Sequence, residues 1–294
     1  MRLHTQQFLG QENEYTDWES ANYAILPVPY EGGVSFGKGT ADAPEQVLQV
    51  SEYLEFYDEI LKTDPSTAGI TTLAASPVSA NHAEMQDIIY NHTKSIIASD
   101  KFPIILGGDH SISSGVFRAL QEKYGILSCI QIDAHADLRD SYEGSKFSHA
   151  SVMARIREMT SHALQIGIRS MSKEEAEWID SEHLAVCTMH AFRSGRFDWQ
   201  TVLHALPDPV YITFDVDAFD WSVVSSTGTP EPGGFTWDEA IKVLYEIFTA
   251  KHVVGFDVVE LGVSPHDRNS PFAIAKLLYK MIGMHNIARK DLPL

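Results

Sequence analysis

Short apolar runs recur along the chain and alternate with longer segments of helical periodicity. Their consecutive apolar positions are typical of strands buried on both faces; the six runs are residues 23–26, 103–106, 126–132, 163–168, 210–214 and 253–258. Ala240, Ile241 and Leu244 follow helical spacing, and Thr236 with Glu239 is typical of a capping box. Because parallel strands need long crossovers that cover the sheet, the alternation predicts a three-layer α/β/α fold with a mostly parallel sheet.

The chain has the length and uniformity of one domain. It contains 294 residues and no serine-, glycine- or proline-rich linker, repeat or low-complexity segment, so residues 21–294 are predicted to form a single catalytic domain. Residues 1–20 are polar and acidic and lack clear periodicity. They are predicted as an N-terminal arm, for which two alternatives stay open: packing on a neighbouring subunit, or a frayed end.

Charge and composition argue against several classes of partner. The 40 acidic residues exceed the 22 basic ones, and the net charge of −18 disfavours nucleic acid and anionic membranes. No stretch approaches about 18 consecutive apolar residues, and the N-terminus lacks a secretory-signal pattern, which together predict a cytoplasmic protein. Of the two cysteines, Cys129 lies in an apolar run and is predicted to be a buried, unreactive thiol.

Polar side chains follow three of the predicted strands, at the point where each run ends. In a parallel sheet such positions converge, and here they bring together six residues of the types that bind metals: His110, Asp133, His135, Asp137, Asp215 and Asp217. Side chains of an extended segment alternate, so the members of each motif are expected to share one face. Four carboxylates in one place need positive charge, which predicts a pair of divalent cations. Oxygen and imidazole ligands without thiolate suit manganese, iron, nickel, cobalt or zinc better than calcium, and the metal stays open within that set.

These motifs resemble the signatures of the ureohydrolase family of arginases and agmatinases. The resemblance rests on Gly-Gly-Asp-His-Ser at 107–111, Ile-Asp-Ala-His-Ala-Asp at 132–137 and Phe-Asp-Val-Asp at 214–217 with the loop 227–234, and it extends over roughly residues 22–290. It implies a doubly wound sheet, two Mn²⁺ ions per subunit that share Asp133 and Asp215, and a homo-oligomer, either a trimer or a hexamer. His110 and Asp137 complete the ligands of one ion, and His135 and Asp217 those of the other.

The resemblance also implies hydrolysis of a guanidinium group to urea and an amine. A guanidinium carbon is a poor electrophile, and two cations that share one water lower its pKa from 15.7 to about 7, which supplies a bridging hydroxide for the attack. Asp137 is expected to accept a hydrogen bond from that hydroxide. His149, in a Ser-His-Ala-Ser segment, resembles the family's proton shuttle, and an imidazole suits proton transfer near neutral pH.

Four residues are predicted to contact the substrate: Glu260, His149, Arg139 and Thr229. Glu260 follows the last apolar run, where a buried carboxylate needs a cation; that cation is a substrate guanidinium or, alternatively, a protein arginine or lysine. Arg139 either meets a substrate carboxylate or pairs with a neighbouring acid, Asp140 or Glu143.

Agmatine is the favoured substrate, giving putrescine and urea. The loop 138–148 lacks the Asn- and Thr-rich sequence with which animal-type arginases hold an α-amino acid. Arginase, guanidinobutyrase, aminopropylagmatine ureohydrolase and formiminoglutamase activities are the alternatives, and a non-catalytic, metal-stabilised partner protein is the alternative of a different class. Trp221 and Ser225 stand where the family usually has proline, which leaves the rigidity of that loop open.

Overall fold

An eight-stranded sheet, parallel throughout, forms the centre of the computed structural model, which describes residues 2–291. The strands are β1 (Tyr23–Val28), β2 (Ile70–Thr72), β3 (Phe102–Gly107), β4 (Ser128–Ile132), β5 (Ala163–Ile168), β6 (Ala185–Thr188), β7 (Val210–Asp215) and β8 (Val253–Val259), in the order β2-β1-β3-β8-β7-β4-β5-β6. All six predicted strands are present. The third begins at Ser128 rather than at residue 126, because Ile126 is exposed in the preceding turn.

Helices cover both faces of the sheet. They are α1 (Ala43–Ser51), α2 (His82–Ala98), α3 (Ser113–Tyr124), α4 (Val152–Met159), α5 (Lys173–Ser181), α6 (Met189–Ser194), α7 (Trp199–Ala205), α8 (Trp237–Ala250) and α9 (Asn269–Asp291). The predicted capping box at Thr236 and Glu239 begins α8. Helices α2, α3 and α4 pack side by side on one face, and α1, α8 and α9 pack on the other. Two hydrophobic cores result, one on each face, and the predicted three-layer α/β/α fold is confirmed.

The strand order creates a crevice above the middle of the sheet. Strands β3 and β4 are consecutive in the chain but are separated in the sheet by β8 and β7. The four central strands therefore end beside one another at a point where the direction of winding changes, and ligands of doubly wound folds bind outside such carboxyl ends.

The first residues of the chain lie against an edge of their own sheet. Phe8 and Leu9 are fully buried in the core that contains α1 and α9, and the Phe8 backbone N–H donates to Thr72 Oγ1 at 2.9 Å. Leu3 forms an antiparallel bridge with Leu73, just beyond β2. Residues 2–9 are therefore not frayed, and packing of the arm on a neighbouring subunit stays a prediction. The signal for this packing in the sequence is the apolar Phe8-Leu9 pair inside a polar segment.

Among residues 2–291, no helix combines the length and the hydropathy needed to cross a lipid bilayer.

Candidate metal centre and active site

The six predicted ligand residues lie at the carboxyl ends of β3, β4 and β7. A single turn of 3-10 helix, His110–Ile112, follows β3, and Asp109 caps it by accepting the Ser111 backbone N–H at 2.8 Å. Asp133 comes directly after β4, and Asp215 is the last residue of β7. The turns after these strands thus deliver imidazole and carboxylate groups into the central crevice.

The first group of ligand atoms surrounds the buried ring of His110. Its Nδ1 atom lies 3.2 Å from one carboxylate oxygen of each of three residues, Asp133, Asp137 and Asp215. Ligand atoms of His110, Asp133 and Asp137 all lie within 4.8 Å of one another, a spacing that one ion can bridge.

A second group shares Asp133 with the first. His135 Nδ1 lies 2.9 Å from Asp217 Oδ2 and 3.7 Å from Asp133 Oδ1. Asp133, His135 and Asp217 again offer ligand atoms within 4.8 Å of one another. Two adjoining clusters with a common carboxylate fit a pair of cations.

Two buried polar atoms test whether cations fit these clusters. His110 Nδ1 and Asp217 Oδ2 make no hydrogen bond of ordinary geometry to any group in the described part of the chain. Leaving a buried polar atom without a partner costs about 1–3 kcal/mol, and both atoms face the clusters. Metal ligation would satisfy both atoms.

Like charges also perturb the acid–base chemistry of the clusters. Burial and the nearby carboxylate of Asp133 raise the pKa of Asp137 to about 6. Burial and the charges of Asp217 and Asp133 raise the pKa of Asp215 well above its usual range. Burial opposes the charging of His135, but Asp217 and Asp133 outweigh it and raise its pKa to about 12. The raised pKa values of the carboxyl groups and of the imidazole both mean that the clusters bind protons. A divalent cation would supply this positive charge instead.

The prediction that alternation along an extended strand brings these side chains together is wrong. Asp137 has a positive φ of 52°, so the segment Asp133–Asp137 does not continue as an extended strand with alternating side chains. A 3-10 turn, Val216–Ala218, follows β7, and Asp215 Oδ1 accepts the Asp217 backbone N–H at 2.9 Å. Turns, and not strand alternation, bring each motif's side chains together.

Glu260 lies beside the clusters with a buried carboxylate. It directly follows β8, and its φ of 65° bends the chain sharply at that point. Its Oε1 atom accepts the His110 backbone N–H at 2.7 Å, and no arginine or lysine whose side chain the structure describes forms an ion pair with it. Burial and the nearby charge of Asp109 raise the pKa of Glu260 well above its usual range. The protein therefore provides no cation for Glu260, which removes the arginine-or-lysine alternative for the described chain.

His149 lies half-buried at the mouth of the crevice. Its Nδ1 atom contacts the carbonyl oxygen of Gly33, and its Nε2 atom lies 3.3 Å from Ser35 Oγ. The Gly33 backbone N–H donates to Asp109, and a Cβ at residue 33 would lie 2.8 Å from the Asp109 carboxylate. This close approach requires glycine, so the 31–35 loop fixes the orientation of the His149 ring.

Neither predicted partner of Arg139 is its partner in the structure. The Nε atom of Arg139 lies 3.9 Å from Glu175, and its guanidinium lies 5.3 Å from the Tyr142 ring centre. Asp140 instead pairs with Arg155 at 3.0 Å. Glu175 is held by the capping box of α5 and by the Leu138 backbone N–H, so a contact distant in sequence replaces the local ones.

The loop 220–234 is held by hydrogen bonds where prolines were expected. Ser225 Oγ and Ser226 Oγ donate to Asp267 Oδ2 at 2.6 and 2.7 Å, and the same carboxylate accepts from the first residues of α9. Trp221 is half-exposed, and Thr229 is partly buried in the same loop. The serines thus tie the loop to α9.

The geometry agrees with the comparisons with known proteins. A model of the arginase family matches residues 21–283. The chain belongs to the arginase family. It is 36% identical to the agmatinase of Pyrococcus horikoshii, over 97% of this chain and 99% of that protein. It is 35% identical to the N(1)-aminopropylagmatine ureohydrolase of a Synechocystis species, over 94% and 93%. The crystal structure of agmatine ureohydrolase of Thermoplasma volcanium superposes with a TM-score of 0.88 at 27% identity, covering 99% of this chain and 97% of that one.

Membership of the arginase family confirms the predicted family and class of enzyme. The protein is a ureohydrolase of the agmatinase-like branch, a hydrolase that acts on C–N bonds. The arginase family depends on binuclear metal centres, and the two His/Asp clusters lie where such a centre is required.

Three residues that support the site of this arginase-family enzyme were not predicted from the sequence. Thr213 Oγ1 lies 2.8 Å from His110 Nε2 and donates to Asp257 Oδ1 at 2.8 Å, so a hydrogen-bonded chain orients the His110 ring. Arg169 donates to the backbone carbonyls of Asp217, Glu231 and Pro232 at 2.6, 2.8 and 3.1 Å. The sequence did contain a signal for all three: Thr213 and Asp257 are polar residues inside apolar runs, and Arg169 directly follows one.

Proposed function

We propose that the protein hydrolyses agmatine to putrescine and urea with two bound Mn²⁺ ions. The observation that carries the proposal is the buried carboxylate of Glu260, which lies beside the His/Asp clusters and has no partner among the arginine and lysine side chains that the structure describes. A carboxylate and a guanidinium form a paired, fork-like contact, so a guanidinium substrate would supply the missing charge. The net negative charge of the crevice favours a small cationic guanidino compound over an anion.

The ligand set supports manganese. The clusters contain only imidazole nitrogens and carboxylate oxygens, a combination that suits Mn²⁺ better than it suits metals that prefer thiolate. His110, Asp133, Asp137 and Asp215 would hold one ion, and Asp133, His135, Asp215 and Asp217 the other. When bound, such ions supply Lewis-acid activation of a water molecule at neutral pH.

The protein's own groups would then bind the substrate and move protons. Glu260 binds the guanidinium, and Asp137 accepts a hydrogen bond from the attacking water. The Nδ1–H of His149 donates to the Gly33 carbonyl, so that Nε2, which lies 3.3 Å from Ser35 Oγ, is the nitrogen that would exchange a proton with the leaving amine. Arg139 and Thr229 lie on the loops around the crevice and are proposed substrate contacts, and the subunits are proposed to form a homo-oligomer, either a trimer or a hexamer.

Aminopropylagmatine is the second candidate substrate. Relatives named N(1)-aminopropylagmatine ureohydrolase match this chain over more than nine-tenths of its length. Tyr142, whose ring lies 5.8 Å from the His149 ring, and the exposed Glu143 lie at the mouth of the crevice, where they would meet the distal ammonium of a longer substrate.

Urea release by the Mn²⁺-loaded protein tests the proposal. Agmatine, aminopropylagmatine, arginine and guanidinobutyrate would be compared at equal concentration, and agmatine is expected to have the highest kcat/KM. The variant that tests the role of Glu260 is Glu260→Gln, which keeps a hydrogen-bond acceptor for the His110 N–H but removes the charge. It is expected to keep both metals and to lose urea release. Preference for aminopropylagmatine would establish the second candidate instead. No urea from any of the four, with two metals bound, would contradict guanidine hydrolysis.

A further inference from the structure

A basic cavity lies at the end of the sheet opposite the proposed active site. It has a volume of about 310 Å³ and opens at Phe102 and Val253, the first residues of β3 and β8. Lys101 and Lys251 directly precede these two strands, Lys123 lies in the last turn of α3, and Arg289 lies near the end of α9. Among the residues whose side chains the structure describes, the one acidic residue that lines the cavity is Asp100. Four positive charges against one negative charge leave an excess of three.

These four cations have no carboxylate partners in the part of the chain that the structure describes. Lys251 is only 8% exposed, yet its Nζ atom donates to two backbone carbonyls, those of His204 and Leu206. Lys101 Nζ donates to the Ala21 carbonyl at 2.7 Å, and Lys123 lies over a tyrosine ring. Elsewhere, basic side chains pair with acids: Lys94, Arg118, Arg193 and Lys280 all form ion pairs of 3.1 Å or less.

The grouping is unusual because the protein is strongly acidic. With 40 acidic and 22 basic residues, a basic side chain has many acids available as partners. Clustered cations without such partners repel one another and destabilise the folded protein, and an anion between them removes that cost.

A buried imidazole, that of His285, forms part of the cavity wall. His285 is buried in the cavity wall, and its Nδ1 atom lies 2.8 Å from the hydroxyl of Tyr23. Burial, with the charges of Arg289 and His252, lowers the pKa of His285 to about 3. His285 therefore stays neutral at physiological pH and packs against Phe102, with ring centres 4.0 Å apart.

We propose that this cavity binds a small phosphate-bearing anion. A phosphate group carries about −1.5 to −2 charges at pH 7, so one or two such groups match the excess of positive charge. Lysine ammonium groups and an arginine guanidinium are the side chains that bind phosphate oxygens. Phe102, His285 and Tyr124 also line the cavity and offer aromatic contacts to a ring attached to the phosphate.

This site is distinct from the proposed active site in both place and chemistry. The His/Asp clusters lie at the carboxyl ends of the strands, where carboxylates attract cations. The cavity lies at the amino ends of the strands, where lysine and arginine side chains attract anions. The proposal therefore does not depend on which guanidino compound the enzyme hydrolyses.

Calorimetric titration of the metal-loaded protein at low ionic strength would test the proposal. The probes are inorganic phosphate and adenosine monophosphate, which share one phosphate chemistry and differ in the attached nucleoside. The test variant is Lys123→Gln/Arg289→Gln, both at exposed positions, and the charge-matched control is Lys173→Gln/Lys242→Gln, on the exposed surfaces of α5 and α8. The Kd of both probes is expected to rise about tenfold in the test variant and to stay within about twofold of wild type in the control.

Each outcome of that titration bears on the proposal. Equal affinity for the two probes assigns the site to the phosphate group alone, and tighter binding of adenosine monophosphate adds a contact to the aromatic wall. Absence of binding by both probes would overturn the proposal. So would equal weakening in the two double variants, because that would reflect overall charge rather than this cavity.

Discussion

The two ends of the central sheet carry opposite charge and differ in burial. At the carboxyl ends, the four aspartates proposed as metal ligands lie with Asp109 and Glu260 in a crevice, and all of these carboxylates are almost fully buried. At the amino ends, the cavity is lined mainly by cations, of which Lys123 and Arg289 are exposed. Like charges that are buried together repel much more strongly than like charges in water. Changes at the carboxyl ends should therefore have the larger effects.

Removal of one shared carboxylate is the strongest test of the acidic end. Asp215→Ala should abolish binding of both metals and lower activity by more than about a thousandfold, because Asp215 is a proposed ligand of both ions. The metal-free variant should unfold no earlier than the metal-free wild type, since one of several repelling charges is gone. Metal analysis, urea release and thermal unfolding measure the three quantities.

Asp220→Ala is the control for that variant. Asp220 lies in the loop that follows β7, and Ser222 is the one residue whose side chain bonds to its carboxylate among the described residues, so both metals and the activity should be retained. Two tightly bound metals in Asp215→Ala would show that the clusters do not act as one centre.

His149→Ala should separate chemistry from metal binding. We expect both metals to remain and kcat to fall by about 10²–10⁴-fold, the usual contribution of a positioned proton-transfer group. The pH–rate profile should also lose one limb, a change that a merely structural residue would not cause. His162→Ala, a histidine before β5 and far from the crevice, is the matched control. Unchanged kcat in His149→Ala would remove this residue from the mechanism.

The sequence predicts which residues meet at the acidic end better than it predicts how they meet. His110, Asp133 and Asp215 could be found because each stands at the end of an apolar run, and parallel strands end together. The positive φ of Asp137 could not be found, because alternation in a strand is the only local rule available and a turn overrides it. The strand β2 has three residues, too few to give a pattern.

Contacts between distant residues set the remaining limit. Arg139 has two acids within four positions, yet its partner is Glu175, which lies in α5 and is distant in the sequence. Phe8 and Leu9 lie in a polar segment, and only the completed sheet edge gives them a surface to pack on. Local sequence cannot rank such partners, because their proximity depends on the assembled fold.

Arg169→Lys should weaken the acidic end without removing any ligand. Arg169 uses its planar guanidinium to hold three carbonyls of the loop 217–232, and a lysine ammonium cannot reach all three at once. We expect metal affinity and kcat to fall about 10–100-fold, as is typical when a group that supports metal ligands is lost. Isothermal titration with Mn²⁺ measures the first effect. The control is Arg193→Lys; Arg193 lies in α6, donates to the carbonyls of Gly233 and Gly234, and pairs with Glu239. Equal losses in both variants would mean that loop stability alone is responsible.

The pH dependence of the metal-free protein should show the smallest effect. Three carboxylates hold His110 protonated, and two raise the pKa of His135 to about 12, whereas both titrate near 6.5 when unfolded. A folded pKa above the unfolded one stabilises the protein below pH 6.5, and this stabilisation is lost as the pH rises towards the folded value. The free energy of unfolding should thus fall between pH 6.5 and 9 in urea titrations, with a slope approaching about 1.4 kcal/mol per pH unit for each histidine that is protonated only in the folded protein. His285, whose lowered pKa of about 3 makes its contribution constant above pH 6.5, does not oppose this trend. His135→Asn should make the slope shallower, and bound Mn²⁺ should remove it by displacing the protons; a free energy of unfolding that rises with pH in the metal-free protein would contradict the proposed balance of charges.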